Sequence, residues 1–430
     1  MASTELSKTF SASNRKTWTF SAWIKFSSFG GVGLFAAYAD SSNRSYFGIN
    51  GSHQLLLYAQ QSGSDTCSVY STQVFRDPSA WYHIMCVCDT TQSTSTDRVK
   101  FYVNGSQADV TFSHTPDQNE DLYLNGGYEH AVGSRDGSSY FDGLMSHVHF
   151  ADGTAYTPST FGSTDTNGQW KINTSPTVTY GTNGFFILKD GNSVTDQSGN
   201  SNNFTVGAGT LTNTEDCPSN VFATWNVLAQ PNGTLSNGNL SNTSALDTPA
   251  TIGVTSGKYY WEYKKTNTTN SPHYGICSTK KGFNKTSEQM LNGLSNSVGS
   301  AIYIFQNSTG TVSYAANGGF SSVSYNLSSF SIANGDIVGC ALDISTSSGR
   351  LDFYKNGSSI GYVTFTYDQE TPVFPFIRMN TGASTDTNFG NGYFGTTAIS
   401  SEGTNASGNG KFEYDVPTGY TALSTKGLNL

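Results

Sequence analysis

The chain has 430 residues, a formal net charge of −9 and only 12% charged residues. It has no Lys- or Arg-rich run, which excludes the cationic stripe that nucleic acid requires, and no apolar run approaches the roughly 18 residues of a membrane-crossing helix. With 13% aromatics among abundant Gly, Ser, Thr and Asn, it is too aromatic for a disordered chain and poor in helix formers.

The length sets a prior of two to three domains, and a domain of roughly 200 residues buries about 70% of its unfolded surface without staples. The opening MASTELSKTF has no apolar segment of the kind a secretory signal carries. TWTFSAWIKF (Thr17 to Phe26) is the first alternating run, with Trp18, Phe20 and Ala22 on one face, and GLFAAYA, YFGIN and QLLLYAQ follow. Period-2 alternation is the signature of a half-buried strand. WYHIMCVCD (Trp81 to Asp89) alternates again and leads into VKFYVNGSQ, where Asn104-Gly105 suits a type I′ hairpin turn that needs positive φ at both centres. FDGLMSHVHFAD, NGFFILKD and NNFTVGA complete the first half.

TLTNTEDCPSN (Thr210 to Asn220) is polar and irregular, and marks a boundary between domains 1–213 and 214–430. GKYYWEYKK, HYGICS, SAIYIFQ and DIVGCALDIS are the strands of the second half; then LDFYKNGSS repeats the earlier hairpin with Asn356-Gly357. FPFIRMN and a Pro417-bearing tail close the chain. TSEQMLNGLSNSV (Thr286 to Val298) is the one place for a helical turn or two. A parallel sheet needs crossover helices, so the expected fold is all-β and antiparallel: sandwiches or jelly rolls. Six cysteines without a CxxC pair read as reduced, buried thiols; Cys86 and Cys88 share one strand face.

Four first-half stretches, FSAWIKF, AWYHIMCVCD, VKFYVNGSQ and FDGLMSHVHFADGTAYTPS, resemble laminin-G-like, concanavalin A-like jelly rolls. In the second half GKYYWEY, YGICS, GDIVGCALDISTSSGRLDFYKNGSSIG and FPFIRMN resemble SPRY domains. The expected fold is therefore two tandem antiparallel β-sandwiches, a concanavalin A-like jelly roll and a SPRY-like sandwich. Taken in order, NRKTWTFSAWIK, STQVFRDPSAWYHI, FADGTAYTPSTFGSTDTNGQW, YGTNGFFILKD, TDQSGNSNNFTV and PTGYTALSTKGLNL are similar to structural proteins of marine tailed bacteriophages, cyanophages included. That resemblance implies a non-enzymatic virion surface protein, a capsid decoration or tail fibre. It would be assembled in the host bacterial cytoplasm, as a homo-oligomer beside other virion proteins, and could contact host glycans.

Laminarinase-type enzymes on this fold carry E-x-D-x-x-E on one strand as nucleophile and acid/base. The densest acidic spots here, Asn119 to Asp121 and Thr214 to Asp216, lack that spacing. No G-x-S-x-G elbow accompanies the seven histidines, and His83, His147 and His149 read as scaffold. STDTNGQW loosely resembles the Asp-box turn, itself a structural feature. A glycan-degrading enzyme and a purely structural virion protein remain as alternatives.

Hard oxygen ligands suit Ca²⁺, and related folds hold it at a rim. TDQSGNSNN offers Asp196, Ser198, Asn200 and Asn202 at alternate positions, which is equally the composition of an Asx turn. Sugar contact needs an aromatic face and nearby hydrogen-bonding groups on end loops. GGYEHAVGSRDGSSYF supplies Tyr128, His130, Arg135, Asp136 and Tyr140, and the second half supplies Tyr274, Asn317 and Phe320.

Overall fold

The computed structural model describes residues 4–135, 137–189, 193–229, 234–243, 247–267, 272–278, 300–306, 312–315 and 320–429. Asp136, Asn317 and the helical turn expected at Thr286 to Val298 lie outside them. The chain divides into two compact units, Met1–Asn213 and Thr214–Leu430. Both are built from short β-strands, with single 3-10 turns between.

Among the described residues, the first unit stacks an eight-stranded sheet on a six-stranded one. The eight-stranded sheet runs Val110–His114, Ser64–Ser71, Leu55–Gln61, Asn43–Ile49, Val32–Asp40, Glu129–Val132, Glu5–Thr9, Thr205–Ala208. The six-stranded sheet runs Phe185–Ile187, Gly143–Asp152, Thr17–Phe26, Trp81–Asp89, Val99–Val103, Ser106–Ala108, and all these pairings are antiparallel. Trp18, Phe20, Ala22, Ile24 and Phe26 point inward as the alternation requires, meeting Phe35, Phe47, Leu57 and Val69 from the facing sheet. Burying each such side chain contributes about 1.5–3 kcal/mol, so this inner layer dominates the unit's stability. Cys67, Cys86 and Cys88 belong to the same core; all six cysteines are free thiols and five are buried.

A polar hub ties one end of this sandwich. Asp152 accepts backbone N–H groups of Asn14, Thr182 and Asn183 and the Asn125 amide. Asn183 in turn donates to Asn125 and to the Ser11 carbonyl. Every polar atom buried there is matched, which a buried polar cluster requires to be stabilising.

The second unit has a nine-stranded sheet facing a five-stranded one, among the described residues. Lys258–Lys265, Ile337–Asp343, Ser348–Lys355, Ser358–Thr366 and Ser321–Leu327 follow one another in the first, and Thr421–Ala422 joins Lys258–Lys265 as a parallel pair. Asp247–Pro249, Val373–Arg378, His273–Ser278, Ser300–Gln306 and Val312–Ala315 form the second. Trp225, Trp261, Tyr263, Cys340, Leu351 and Phe353 fill the space between.

The two repeated hairpins are built alike. Asn104 and Gly105 have φ of 48° and 81°; Asn356 and Gly357 have 47° and 79°. Each Asn exchanges two bonds with the strand before it. Asn104 N–H donates to the His83 carbonyl (2.8 Å) and its Oδ1 accepts His83 N–H (2.9 Å). Asn356 does the same with Ile337, both at 2.8 Å. Cys86 pairs with Phe101 in one hairpin and Cys340 with Phe353 in the other.

Candidate functional site

Strand alternation predicts that Thr19, Ser21, Trp23, Lys25 and His83 face outward, yet all five are buried. The chain leaving Gly143–Asp152 folds back over this outer face and roofs it with Tyr156, Phe161, Trp170, Val178 and Tyr180. Trp170 stacks on His83 at 5.7 Å and lies over Gly105 and Gly162, where a Cβ would collide with its ring. Ser21 Oγ and His83 Nε2 are 2.9 Å apart, the geometry of a nucleophile and base. The resemblance ends there: His83 Nδ1 has no orienting acid, and burial pulls its pKa down to about 3. His149, stacked on Phe186 at 3.9 Å and bonded to Tyr180, is likewise held neutral by burial.

The second unit carries a matching roof. Phe412 and Val416 cover Tyr260, Ala341 and Ala422 on the outer face of the nine-stranded sheet. Glu262, fully buried, anchors this segment by accepting the Glu413 and Tyr414 N–H groups at 2.9 Å each, and accepts the Tyr260 hydroxyl at 3.1 Å. Burial raises its pKa to about 7.

The outer face of the eight-stranded sheet is different. Its central cross-strand row reads Ser68, Tyr58, Tyr46, Ala36, Ala131, Ser7. A second row holds Thr111, Tyr70, Leu56 and Gly48, and a third holds Gln60, Arg44, Tyr38 and Glu129. Tyr46 and Tyr58 lie 5.3 Å apart. Arg44 sits over Tyr58 at 5.9 Å and Arg135 over Tyr46 at 5.2 Å. Burial, with the hydroxyl's bond to Asp65, raises the pKa of Tyr58 to about 12. Tyr58, Tyr70 and Leu56 are half-buried and Tyr38 is exposed. Arg135 reaches this face because Gly33, lacking a Cβ, lets the Ser134–Arg135 backbone cross directly above it. The result is an aromatic platform with guanidinium, amide and carboxylate groups around it, suited to stacking and hydrogen bonding.

The residues expected to contact sugar are dispersed. Arg135 joins the platform; Tyr140, on the same loop, spends its hydroxyl on the Gly137 carbonyl. Tyr128 packs at a tilt on Tyr123, 5.1 Å between ring centres, beside the core. His130 is fully buried, its Nε2 accepting Asn125 N–H and its Nδ1 bonded to the Tyr128 carbonyl, so it is scaffold. Burial holds its pKa at about 4. Tyr274 is inside the second core, stacked on Tyr263 at 4.7 Å, and Phe320 packs on Phe365 at 4.9 Å. Both fall on inward positions of their sandwich, which corrects the expectation of a loop contact.

The calcium expectation is also corrected. Asp196 Oδ1 accepts N–H from Phe186 and Ser198, and Oδ2 accepts Ser198 Oγ–H and Asn202 N–H. Asn200 and Asn202 both donate amide N–H to the Gly184 carbonyl at 2.9 Å. Donors, not oxygen lone pairs, converge there, so the loop does not fit a cation. No group of three His, Cys, Asp or Glu residues that could hold a metal exists among the described residues. Asp165 in STDTNGQW closes a turn, accepting N–H from Asn167 and Gln169, and pairs with Lys171 at 3.6 Å.

Arg44, Tyr46, Tyr58 and Tyr70 escaped the sequence reading. Their signal was present: each sits between inward residues (Ser45, Phe47, Leu57, Val69) on strands whose outer positions repeat Tyr.

Two tandem β-sandwiches, one with half-exposed tyrosines on an outer sheet face, have the makeup of a binding or adhesion module. Residues 3–160 match the profile described as the concanavalin A-like lectin/glucanases superfamily, and residues 242–392 match the SPRY domain. A search of curated proteins returns no match. Domains LG4-5 of the mouse laminin α1 chain share 10% identity at a TM-score of 0.30, covering 86% of this chain and 79% of that one. A heptameric SAP-like pentraxin from Limulus polyphemus shares 16% at 0.30, covering 48% and 89%. The SPRY domain of human HERC1 shares 17% at 0.26, covering 38% and 96%.

Proposed function

We propose that the chain is a non-enzymatic binding module on a bacteriophage particle surface. It contacts a host-surface glycan or a protein through the open face of the eight-stranded sheet. One observation carries the binding role: Tyr58 and Tyr70, half-exposed beside the buried Tyr46, form a platform with Arg44 and Arg135 on the outer face of the eight-stranded sheet. The opposite sheet's outer face, which holds the Ser21–His83 pair, is roofed by the chain itself. Support for the particle is of another kind, the resemblance of six ordered motifs to tailed-phage structural proteins.

Retention on immobilised algal and bacterial polysaccharides, with a glycan array beside it, tests the binding role. Tyr58→Ala and Arg135→Ala lose retention while the melting temperature stays near that of the parent. Retention unchanged in both variants rejects the platform, and release of reducing sugar abolished by a single carboxylate substitution makes the chain an enzyme. An array without hits leaves the platform to a protein partner within the particle. Antibody labelling of intact particles decides the location.

A further inference from the structure

The roof of the second unit covers only part of the nine-stranded sheet's outer face. Beyond Phe412 and Val416, the row Lys258, Asp343, Arg350, Thr364 crosses four adjacent strands, and Asp352 and Tyr362 are paired in the next row. Their sequence neighbours Tyr259, Leu342, Leu351 and Val363 point into the core, so these side chains point away from it. Tyr420, from the returning segment, closes one end of the row, with Lys258 Nζ 5.7 Å from its ring centre.

The charges on this face cancel in pairs. Lys258 Nζ meets Asp343 Oδ2 at 2.9 Å, and Arg350 grips Asp352 through two N–H edges, Nε at 2.8 Å and Nη2 at 2.6 Å. The guanidinium lies on Tyr362, its carbon 3.8 Å from the ring centre, which fixes its plane. These groups are nonetheless open to water: the Lys258 and Arg350 side chains are 41% and 45% exposed, and Tyr362 and Tyr420 are half-buried. Among the described residues, Arg350 Nη1 and the Tyr362 and Tyr420 hydroxyls have no hydrogen-bond partner.

We propose that this face binds a neutral, hydroxyl-rich chain, an oligosaccharide, laid along the row from Tyr420 to Thr364. Lys258 and Arg350 balance Asp343 and Asp352, so nothing there selects a charged ligand, and the chain's net charge of −9 disfavours a polyanion. Each sugar hydroxyl both donates and accepts, which suits alternating ammonium, carboxylate and guanidinium groups with donors to spare. The side chains already hold one another in place, so little ordering is left to be done on binding. Four strands at about 4.8 Å spacing make the row about 14 Å long, more than one ring occupies. The site belongs to the second unit and stands whether or not the platform of the first unit binds anything.

Titration calorimetry of the full chain with neutral β-glucan, α-glucan, mannan and galactan oligosaccharides tests the site. A Tyr58→Ala background removes the first unit's platform, so the two sites are read separately. At least one oligosaccharide is expected to bind in that background, with an affinity indifferent to salt. Arg350→Ala/Asp352→Ala removes both partners of a pair, leaves no bare charge, and should weaken binding about tenfold or more. Tyr362→Phe keeps the ring under Arg350 and should weaken it by a smaller factor. All titrations are run well below each variant's melting temperature, so a loss of binding is not a loss of fold. The proposal is overturned if no neutral oligosaccharide binds, if binding survives the double variant, or if only carboxylated or sulfated polysaccharide binds and salt abolishes it. A dimer in sedimentation that the same double variant dissolves gives the face to a second copy of the chain, and overturns it too.

Discussion

The indole of Trp170 lies directly on the turn glycine Gly105, where any Cβ would collide with the ring. The second sandwich repeats the relationship: a Cβ on Gly357 would stand 2.7 Å from the ring of Tyr414. In each unit, then, the repeated Asn-Gly hairpin is a seat for an aromatic from a later segment that roofs the sheet.

Gly105→Ala should destabilise the first unit on two grounds, the positive φ of 81° and the collision with Trp170. Together these cost about 1–3 kcal/mol. The urea midpoint of the variant measures it, and Trp170→Ala in the Gly105→Ala background should add less than it does alone, because the collision is then gone.

Acid should loosen the first roof. Burial depresses His83 to about 3, and His130 to about 4 from an ordinary 6.5. The folded state therefore binds fewer protons than the unfolded chain. Stability from these groups is complete above roughly pH 6.5 and is lost as pH falls toward those folded values. Denaturant titrations between pH 7 and 4 should show the fall, and His83→Gln should flatten it while keeping a bond to Ser21 Oγ.

Glu262 should act with the opposite sign. Burial raises its pKa from 4.5 to about 7, so the folded state holds its proton more tightly. Its contribution is largest at low pH and declines as pH rises from 4.5 through 7. Glu262→Gln should remove that slope. Glu262→Ala should leave the Glu413 and Tyr414 N–H groups unmatched, costing about 1–3 kcal/mol each. Amide exchange at residues 413 and 414 as a function of pH reads both effects.

Calcium should not stabilise the Asp196 loop. Melting temperature is expected to be the same in millimolar Ca²⁺ and in chelator, whereas Asp196→Ala should lower it, since four hydrogen bonds to the carboxylate vanish. A rise in melting temperature with calcium that Asp196→Ala abolishes would contradict the hydrogen-bonded turn.

Local pattern alone determined the strands, the twin hairpins and the inward set. Alternation and turn chemistry act over neighbours in sequence, so Trp18, Phe20, Phe101 and Phe353 could be assigned before any fold was known. The tertiary structure alone decided which outward positions stay outward. His83 and Trp23 alternate like Tyr58 and Tyr70, yet a later segment of the chain buries the first pair and leaves the second half-exposed. Tyr274, near the start of the expected strand HYGICS and two residues after Pro272, reads as an end-loop contact, but pairing against Ile304 and Ile377 places it in the core. Burial on a sheet's second face depends on distant chain folding back, and nothing in a strand's own residues reports whether that happens.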